Sequence, residues 1–344
     1  MTVDTLSPVD TIGRRMRDLR ISVTDRCNFR CTYCMPAEIF GDRYEFLPRD
    51  ELLSFEEIAR LAEIFVSMGV EKVRITGGEP LVRNEIESLV GMLSSIQGLD
   101  DLTMTTNAYL LAQKATTLRS AGLDRITVSL DTLDDQIFKE MNGVGFGTER
   151  VLDGIEAASG AGFIPIKINS VVQRGVNDHK LVDLVRYAKE RGHIVRFIEY
   201  MDVGNLNDWK LDEVVSADEI LERIDSEFQL QRVEANYPGE VATRYQFKDG
   251  SGEIGVIASV TKPFCGNCTR LRLSPEGRMF TCLFGVKGID LREPMRLGAT
   301  DQELKALISG TWQLRTDRYS EERSSLTNKL RQSIKKVEMY HIGG

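Results

Sequence analysis

Between residues 18 and 200 the chain alternates short apolar, β-branched runs with amphipathic helical runs, six times over. The apolar runs predict strands at 18–24, 72–76, 102–106, 125–130, 164–172 and 194–200. The first helix opens on the capping box Ser54-Phe55-Glu56-Glu57 and stops at Gly69. Others are predicted at 84–96, 109–121, 134–141, 148–161 and 178–191. Such alternation leads to an α/β fold, a parallel sheet joined by right-handed crossovers with its strands covered on both faces. An open doubly wound sheet and a barrel both satisfy the pattern, and six units fall short of a full closed barrel.

The texture changes after Tyr200. Ser216-Ala217-Asp218-Glu219 and Thr300-Asp301-Gln302-Glu303 each cap a helix. Stretches 229–233, 244–247 and 253–259 alternate like antiparallel strands, and 271–280 reads as a hairpin turning on Pro275-Glu276-Gly277. The charge-dense stretch 320–336 is predicted helical and solvent-facing. These shifts divide the chain into a barrel-like unit, 1–230, and a second unit, 231–344.

Six cysteines fall into two triplets, Cys27/Cys31/Cys34 and Cys265/Cys268/Cys282, with none left over. Clustered pairs in a chain whose start shows no basic or apolar leader read as intracellular metal binding, not disulfides, and place it in the cytoplasm. The formal net charge of −8 argues against broad nucleic-acid or anionic-membrane binding, and no apolar run approaches a membrane span. It does not exclude an anionic small molecule in a local basic pocket.

The first triplet has the spacing C-x3-C-x2-C on one short loop. Three thiolates are too few for a closed zinc tetrahedron, but they hold an iron–sulfur cube with one iron left open. The histidines are His179, His193 and His341. The first two read as ordinary surface residues. His341 keeps alive a Cys3His zinc site at the second triplet, beside the alternative of a second three-cysteine cluster.

Polar residues collect where the predicted strands end: Arg74 to Glu79, Thr105-Thr106-Asn107, Ser129-Leu130-Asp131, Lys167-Ile168-Asn169 and Glu199-Tyr200-Met201. Parallel α/β folds put their sites at that edge. Gly77-Gly78 lets the backbone come close to a bound group, although such pairs often mark only a turn. Arg270 and Arg272 share one face of a strand. They suit bidentate recognition of phosphate or carboxylate, and a solvated edge strand is the plainer reading. Met201 taken alone reads as core packing, and Gly343-Gly344 as a frayed end.

The first loop resembles the signature of radical S-adenosylmethionine (SAM) enzymes, with Tyr33 as the aromatic residue before the third cysteine. With Arg74 to Pro80, Phe197 to Met201, and Cys265-x2-Cys268-Thr269-Arg270-Leu271-Arg272 with Cys282, the chain resembles the GTP 3′,8-cyclase family of molybdenum-cofactor biosynthesis. The resemblance runs from Arg20 to the end. It implies a partial six-unit (βα) barrel and a C-terminal domain with an auxiliary cluster. It implies two 4Fe–4S clusters, one on each triplet, and SAM held by Tyr33, Gly78, Ser129 and Met201. It implies GTP contacts at Arg20, Arg74, Thr105, Lys167, Arg270, Leu271 and Arg272. Catalytic roles fall to Cys27, Cys31, Cys34, Arg270 and Arg272. The implied reaction is abstraction of the ribose C3′ hydrogen by a 5′-deoxyadenosyl radical and closure onto C8, giving (8S)-3′,8-cyclo-7,8-dihydroguanosine 5′-triphosphate. An electron donor, a homodimer and a Gly343-Gly344 tail reaching the active site are implied with it. Ala108 departs from the family, which usually has glycine there. A peptide-modifying radical SAM enzyme and a non-enzymatic electron carrier are the competing readings, and SAM consumption separates the carrier from both enzymes.

Overall fold

The computed structural model describes residues 7–326, 330 and 333–344. Six parallel strands come first: β1 (Asp18–Ser22), β2 (Lys72–Thr76), β3 (Asp101–Thr106), β4 (Arg125–Ser129), β5 (Lys167–Val172) and β6 (Ile194–Glu199). They pair in chain order. The crossovers carry α1 (Phe55–Ser67), α2 (Ile86–Ser94), α3 (Leu111–Ser120), α4 (Asp135–Met141), α5 (Glu149–Gly160) and α6 (Leu181–Glu190). The capping box at Ser54 forms as expected: Ser54 Oγ accepts from Glu57 N, and Glu57 Oε2 accepts from Ser54 N at 2.8 Å. The apolar face of α1 (Ile58, Leu61, Ala62, Phe65) then lies buried against the sheet. Strand β5 begins later than its apolar run implied, at Lys167.

The rest of the chain contributes α7 (Ala217–Asp225), β7 (Leu230–Val233), β8 (Thr243–Phe247), β9 (Glu253–Ile257), β10 (Arg270–Leu273), β11 (Arg278–Phe280), β12 (Ile289–Asp290), α8 (Arg292–Arg296), α9 (Asp301–Gln313) and α10 (Tyr319–Glu322). The later strands extend the same sheet from both sides. Its order is β12-β11-β10-β1-β2-β3-β4-β5-β6-β9-β8-β7. Strand β10 runs parallel to β1, and β9 parallel to β6. The outer members are antiparallel, including the β10–β11 hairpin.

Along the inner strands the side chains alternate. Leu19, Ile21, Val73, Ile75, Met104, Val128 and Ile168 are buried in the core. Arg20, Arg74, Thr105, Thr127 and Asn169 point the other way and line one common cavity, joined by Arg196 of β6 and Arg270 and Arg272 of β10. Side chains from β1 to β6 and from β10 meet around one space only if the sheet curls. The sheet is therefore a partial barrel with a polar lumen, open between β7 and β12.

Two expectations are corrected. The stretch 320–336 is not one exposed helix: α10 is a single turn followed by a 3-10 turn at Arg323–Ser325, while 327–329 and 331–332 lie outside the described residues. Arg323 and Lys336 are buried, because the carboxylate of Asp202 draws both inward, at 2.8 and 3.1 Å. His193 is also buried, its Nε2 3.2 Å from Ser159 Oγ near the end of α5.

Candidate active site

The first cysteine loop leaves the carboxyl end of β1 and is held open by its own backbone contacts. Arg30 clamps it from within, donating to Phe40 O at 2.6 Å and to Cys27 O and Phe29 O at 2.8 Å. Phe29 N points at Cys27 Sγ (3.4 Å), and Asn107 Nδ2 lies 3.9 Å from the same sulfur. Tyr33 donates its hydroxyl to Asp131 Oδ2 at 2.9 Å, tying the loop to the end of β4. Burial pushes the Cys27 thiol up to about 12, with Glu79 adding to it. Cys31 and Cys34 are raised in the same way, with Asp131 adding at Cys31. Thiols raised in this way become thiolates only where a cation is bound to compensate them.

The Gly77-Gly78-Glu79-Pro80 turn packs on this loop. Gly78 N donates to Thr24 O and Glu79 N to Arg26 O, at 2.7 and 2.9 Å. A Cβ on Gly78 would lie 2.3 Å from Arg26 O. The close approach that calls for glycine is thus to the chain's own backbone. The buried Glu79 carboxylate accepts from Leu81 N, Thr106 Oγ1 and Asn107 N at 2.7 to 3.0 Å, fixing the ends of β2 and β3 together. Burial raises it to about 7.

The lumen and its open mouth together span about 1030 Å³ of space between protein atoms. Arg74 Nη1 donates to Thr105 Oγ1 and Thr127 Oγ1 at 2.9 and 3.1 Å. Among the described residues Arg20, Arg74, Lys167, Arg270 and Arg272 make no ion pair with an aspartate or glutamate side chain. Burial, then the neighbouring Arg196 and Arg125, lowers Arg74 to about 10. Burial and Arg270 lower Arg272 to about 9. Burial, then Arg196, Arg125 and Lys72, lowers Lys167 to about 7. Cations that depress one another inside a buried cavity create a strong demand for an anion. Three buried polar atoms of the lining residues also lack a hydrogen-bond partner among the described residues: Arg14 Nη2, Asn169 Oδ1 and Arg270 Nε.

The second triplet borders the same lumen. It sits at the opposite end from the first loop, because Cys268 comes just before β10 and Thr269 O accepts from Arg17 N and Asp18 N at the start of β1. Strand-end reasoning had pointed to the carboxyl edge alone. Arg270 Nη2 donates to Cys268 Sγ (3.3 Å), and Phe284 N to Cys282 Sγ (3.5 Å). Burial alone would raise Cys268, but Arg270 and Arg315 overcome it and bring the thiol down to about 6. All six cysteines are free. His341 Nε2 is 2.9 Å from Glu276 Oε1, and among the described residues no group of three His, Cys, Asp or Glu side chains is placed as a Cys3His zinc site would need.

The helical turn Met339–Ile342 runs between the first loop and the lumen. Tyr340 packs with Met35 and Phe40 beside Cys27 and Cys34. Beyond it, Gly344 O accepts from Arg20 Nη1 at 2.6 Å and Gly343 O accepts from Arg272 Nη1. The tail therefore lies in the site.

Most predicted site residues come together. Arg20, Arg74, Thr105, Met201, Arg270 and Arg272 line the lumen with Cys265, Cys268 and Cys282. Cys27, Cys31, Cys34 and Tyr33 sit on the adjoining loop, and Ser129 ends β4. Of the seven expected GTP contacts, two do not line the lumen. Leu271 is fully buried in the apolar core, since alternation along β10 turns it away from its arginine neighbours. Lys167 shares the inward face with Asn169 but stands deeper, at the amino end of β5. Sequence reasoning missed Arg196 and Thr127 as lining residues, while Asn169, among the polar residues noted on the strands, does line the lumen. A charge inside the apolar run Ile194-Val195-Arg196-Phe197-Ile198 was the available signal.

A family model described as Radical SAM superfamily matches residues 21–188, and one described as Molybdenum Cofactor Synthesis C matches 193–321. A GTP 3′,8-cyclase of Acidothermus cellulolyticus is 51% identical, covering 97% of this chain and 98% of that protein. One of Staphylococcus carnosus is 49% identical with the same coverage. The chain belongs to the GTP 3′,8-cyclase family. Among solved structures, Streptococcus suis SuiB bound to its precursor peptide SuiA is similar in fold: TM-score 0.60, 17% identity, covering 86% of this chain and 67% of that one.

Membership in the GTP 3′,8-cyclase family brings SAM and an iron–sulfur cluster, and the first loop fits them. Its donor set is three thiols on one loop, met by an amide N–H at Cys27 Sγ, and such N–H···S contacts tune clusters. Among the described residues no three His, Cys, Asp or Glu side chains close on one point as a single metal ion would need.

Proposed function

We propose that this chain is a GTP 3′,8-cyclase, a radical SAM enzyme that converts GTP to (8S)-3′,8-cyclo-7,8-dihydroguanosine 5′-triphosphate, the first step of molybdenum-cofactor biosynthesis. One observation carries the reading: a lumen lined by arginines lies between two cysteine triplets in a chain 46–51% identical, over 97% of its length, to proteins of that name. The cluster on Cys27, Cys31 and Cys34, with SAM, would supply reductive cleavage to the radical that takes the C3′ hydrogen.

The chain's own part is orientation. Tyr33, Gly78, Ser129 and Met201 border the place where SAM would meet the first loop. Arg20, Arg74, Arg196 and Lys167 take the triphosphate, whose charge their mutual repulsion favours. Arg270 and Arg272 hold the nucleotide beside the second triplet, which carries a second cluster facing the base. Tyr340 to Gly344 separate the loop from the lumen and restrict the path of water to the reacting ribose. The proposal includes units 1–230 and 231–344, a homodimer, an electron donor, and a cytoplasmic setting suited to oxidant-sensitive clusters and GTP. Among the described residues no helix is long and apolar enough to cross a membrane.

The test is anaerobic. The protein is reconstituted with iron and sulfide, reduced, and given SAM with and without GTP. The expected result is 5′-deoxyadenosine formed with a cyclised guanosine triphosphate. 5′-Deoxyadenosine without GTP conversion would move the substrate elsewhere, and zinc uptake without SAM cleavage would end the reading.

A further inference from the structure

At its amino end the lumen continues into a smaller cavity. Arg20, Arg74, Arg196 and Arg270 line both, and Gly239 and Val241 close the smaller one. The loop that closes it, 234–242, is clasped at two points. Gly239 has φ +86°, and a Cβ there would lie 2.9 Å from the Thr269 side chain, next to the second cysteine loop. Lys72 Nζ donates to Tyr237 OH at 3.1 Å.

Between Gly239 and Val241 stands Glu240. Its side chain is 1% exposed, and its Oε1 lies 3.7 Å from Arg196 Nη2. Its Oε2 accepts from Asn236 N at 2.7 Å, which aims the carboxylate inward. Among the described residues this is the one ion pair that any of Arg20, Arg74, Lys167, Arg196, Arg270 and Arg272 makes with a carboxylate side chain. Glu240 also acts on Lys167, raising it against the pull of burial. A buried acid inside a cation cluster partly satisfies the demand for an anion that the cluster creates.

We propose that Glu240 sets the affinity of the site for a triphosphate: it is a tethered anion that holds the Arg196 end of the cluster in the free protein and competes there with the last phosphate of the substrate. This rests on the GTP reading. The effect grows with the charge brought to that end of the cluster: a ligand with one phosphate meets little of the Glu240 repulsion, whereas a triphosphate must displace the carboxylate from Arg196 and binds more weakly for it. At about 6 Å and an effective dielectric near 20, one carboxylate changes phosphate affinity by about a hundredfold, and by about tenfold after screening.

The test measures equilibrium binding by calorimetry under anaerobic conditions, with the full chain and its Glu240→Gln and Glu240→Asp variants. The probes are guanosine, GMP, GTP and inorganic tripolyphosphate at fixed salt. Glutamine keeps an acceptor for Asn236 N, so the loop is preserved. Glu240→Gln is expected to tighten tripolyphosphate and GTP about tenfold, GMP less, and guanosine not at all. Glu240→Asp, which keeps the charge, is expected to retain the parent's order. Equal shifts for guanosine and GTP, or no gain for tripolyphosphate, would overturn the assignment. If the parent binds tripolyphosphate but no guanine compound, the GTP reading falls while the tripolyphosphate series still decides the role of Glu240.

Discussion

Lys167 is expected to make nucleotide binding consume a proton. In the free protein burial and the charges of Arg196, Arg125 and Lys72 bring its ammonium down to about 7 from 10.5. At pH 8 it is then about one-tenth protonated. A triphosphate in the lumen supplies the charge that Lys167 lacks and returns it toward its ordinary range, so binding at pH 8 takes up about 0.9 proton. Affinity should fall about tenfold, or about 1.4 kcal/mol, per pH unit from roughly pH 7.5 to 9.5, where the phosphates are already fully ionised. The same depression gives folding a pH dependence of defined sign. The unfolded chain binds the extra proton between about 7 and 10.5. Unliganded stability attributable to Lys167 therefore rises with pH through that window. Calorimetry in two buffers of different ionisation enthalpy, repeated across pH, measures the uptake directly. Lys167→Met should abolish it, and Lys167→Arg should give tight, pH-independent binding. Flat affinity in the parent, or the same uptake in Lys167→Met, would refute the reasoning.

Three further outcomes are expected. Gly343→Ala should cost at least tenfold in turnover with the melting temperature little changed. Gly343 has φ +71°, a Cβ there would lie 1.9 Å from Thr76 Oγ1, and the tail would lift from Arg20 and Arg272. Asp202→Ala should lose about 3–5 kcal/mol in denaturant titrations, since it removes the one buried carboxylate that Arg323 and Lys336 share. Ala108, buried at φ +61°, should tolerate Ala108→Gly within about 1 kcal/mol. Ala108→Val, β-branched in the left-handed region, should lose about 2 kcal/mol or more in thermal melts.

What was legible in the sequence was local or periodic. The capping boxes at Ser54, Ser216 and Thr300 all form, because the donor and acceptor lie three residues apart. The pairing of Arg270 with Arg272 on one face followed from strand alternation, and the same alternation excluded Leu271. What failed depended on contacts distant in sequence. The plainer reading of Arg270 and Arg272 as an edge strand fails because β10 lies between β1 and β11, some 250 residues from one partner. Arg323 and Lys336 looked solvated because their partner Asp202 lies more than a hundred positions away. Arg196 escaped because one charge in an apolar strand looks like noise until its neighbours across the sheet are known.

The register of β1 against β10 fixes a length. Asp18 faces Arg270 and Arg20 faces Arg272, in parallel. One cysteine loop leaves the far end of this pair, and the other enters at the near end. The two redox-capable loops are thus held apart by the height of one short strand, about 13 Å at about 3.3 Å per residue. The sheet acts as a ruler cut to the span of a nucleotide. A single-residue insertion in either strand would reset that ruler and turn its arginines out of the lumen. The gap between the loops is therefore held by main-chain hydrogen bonds, and no change to a lumen side chain can alter it.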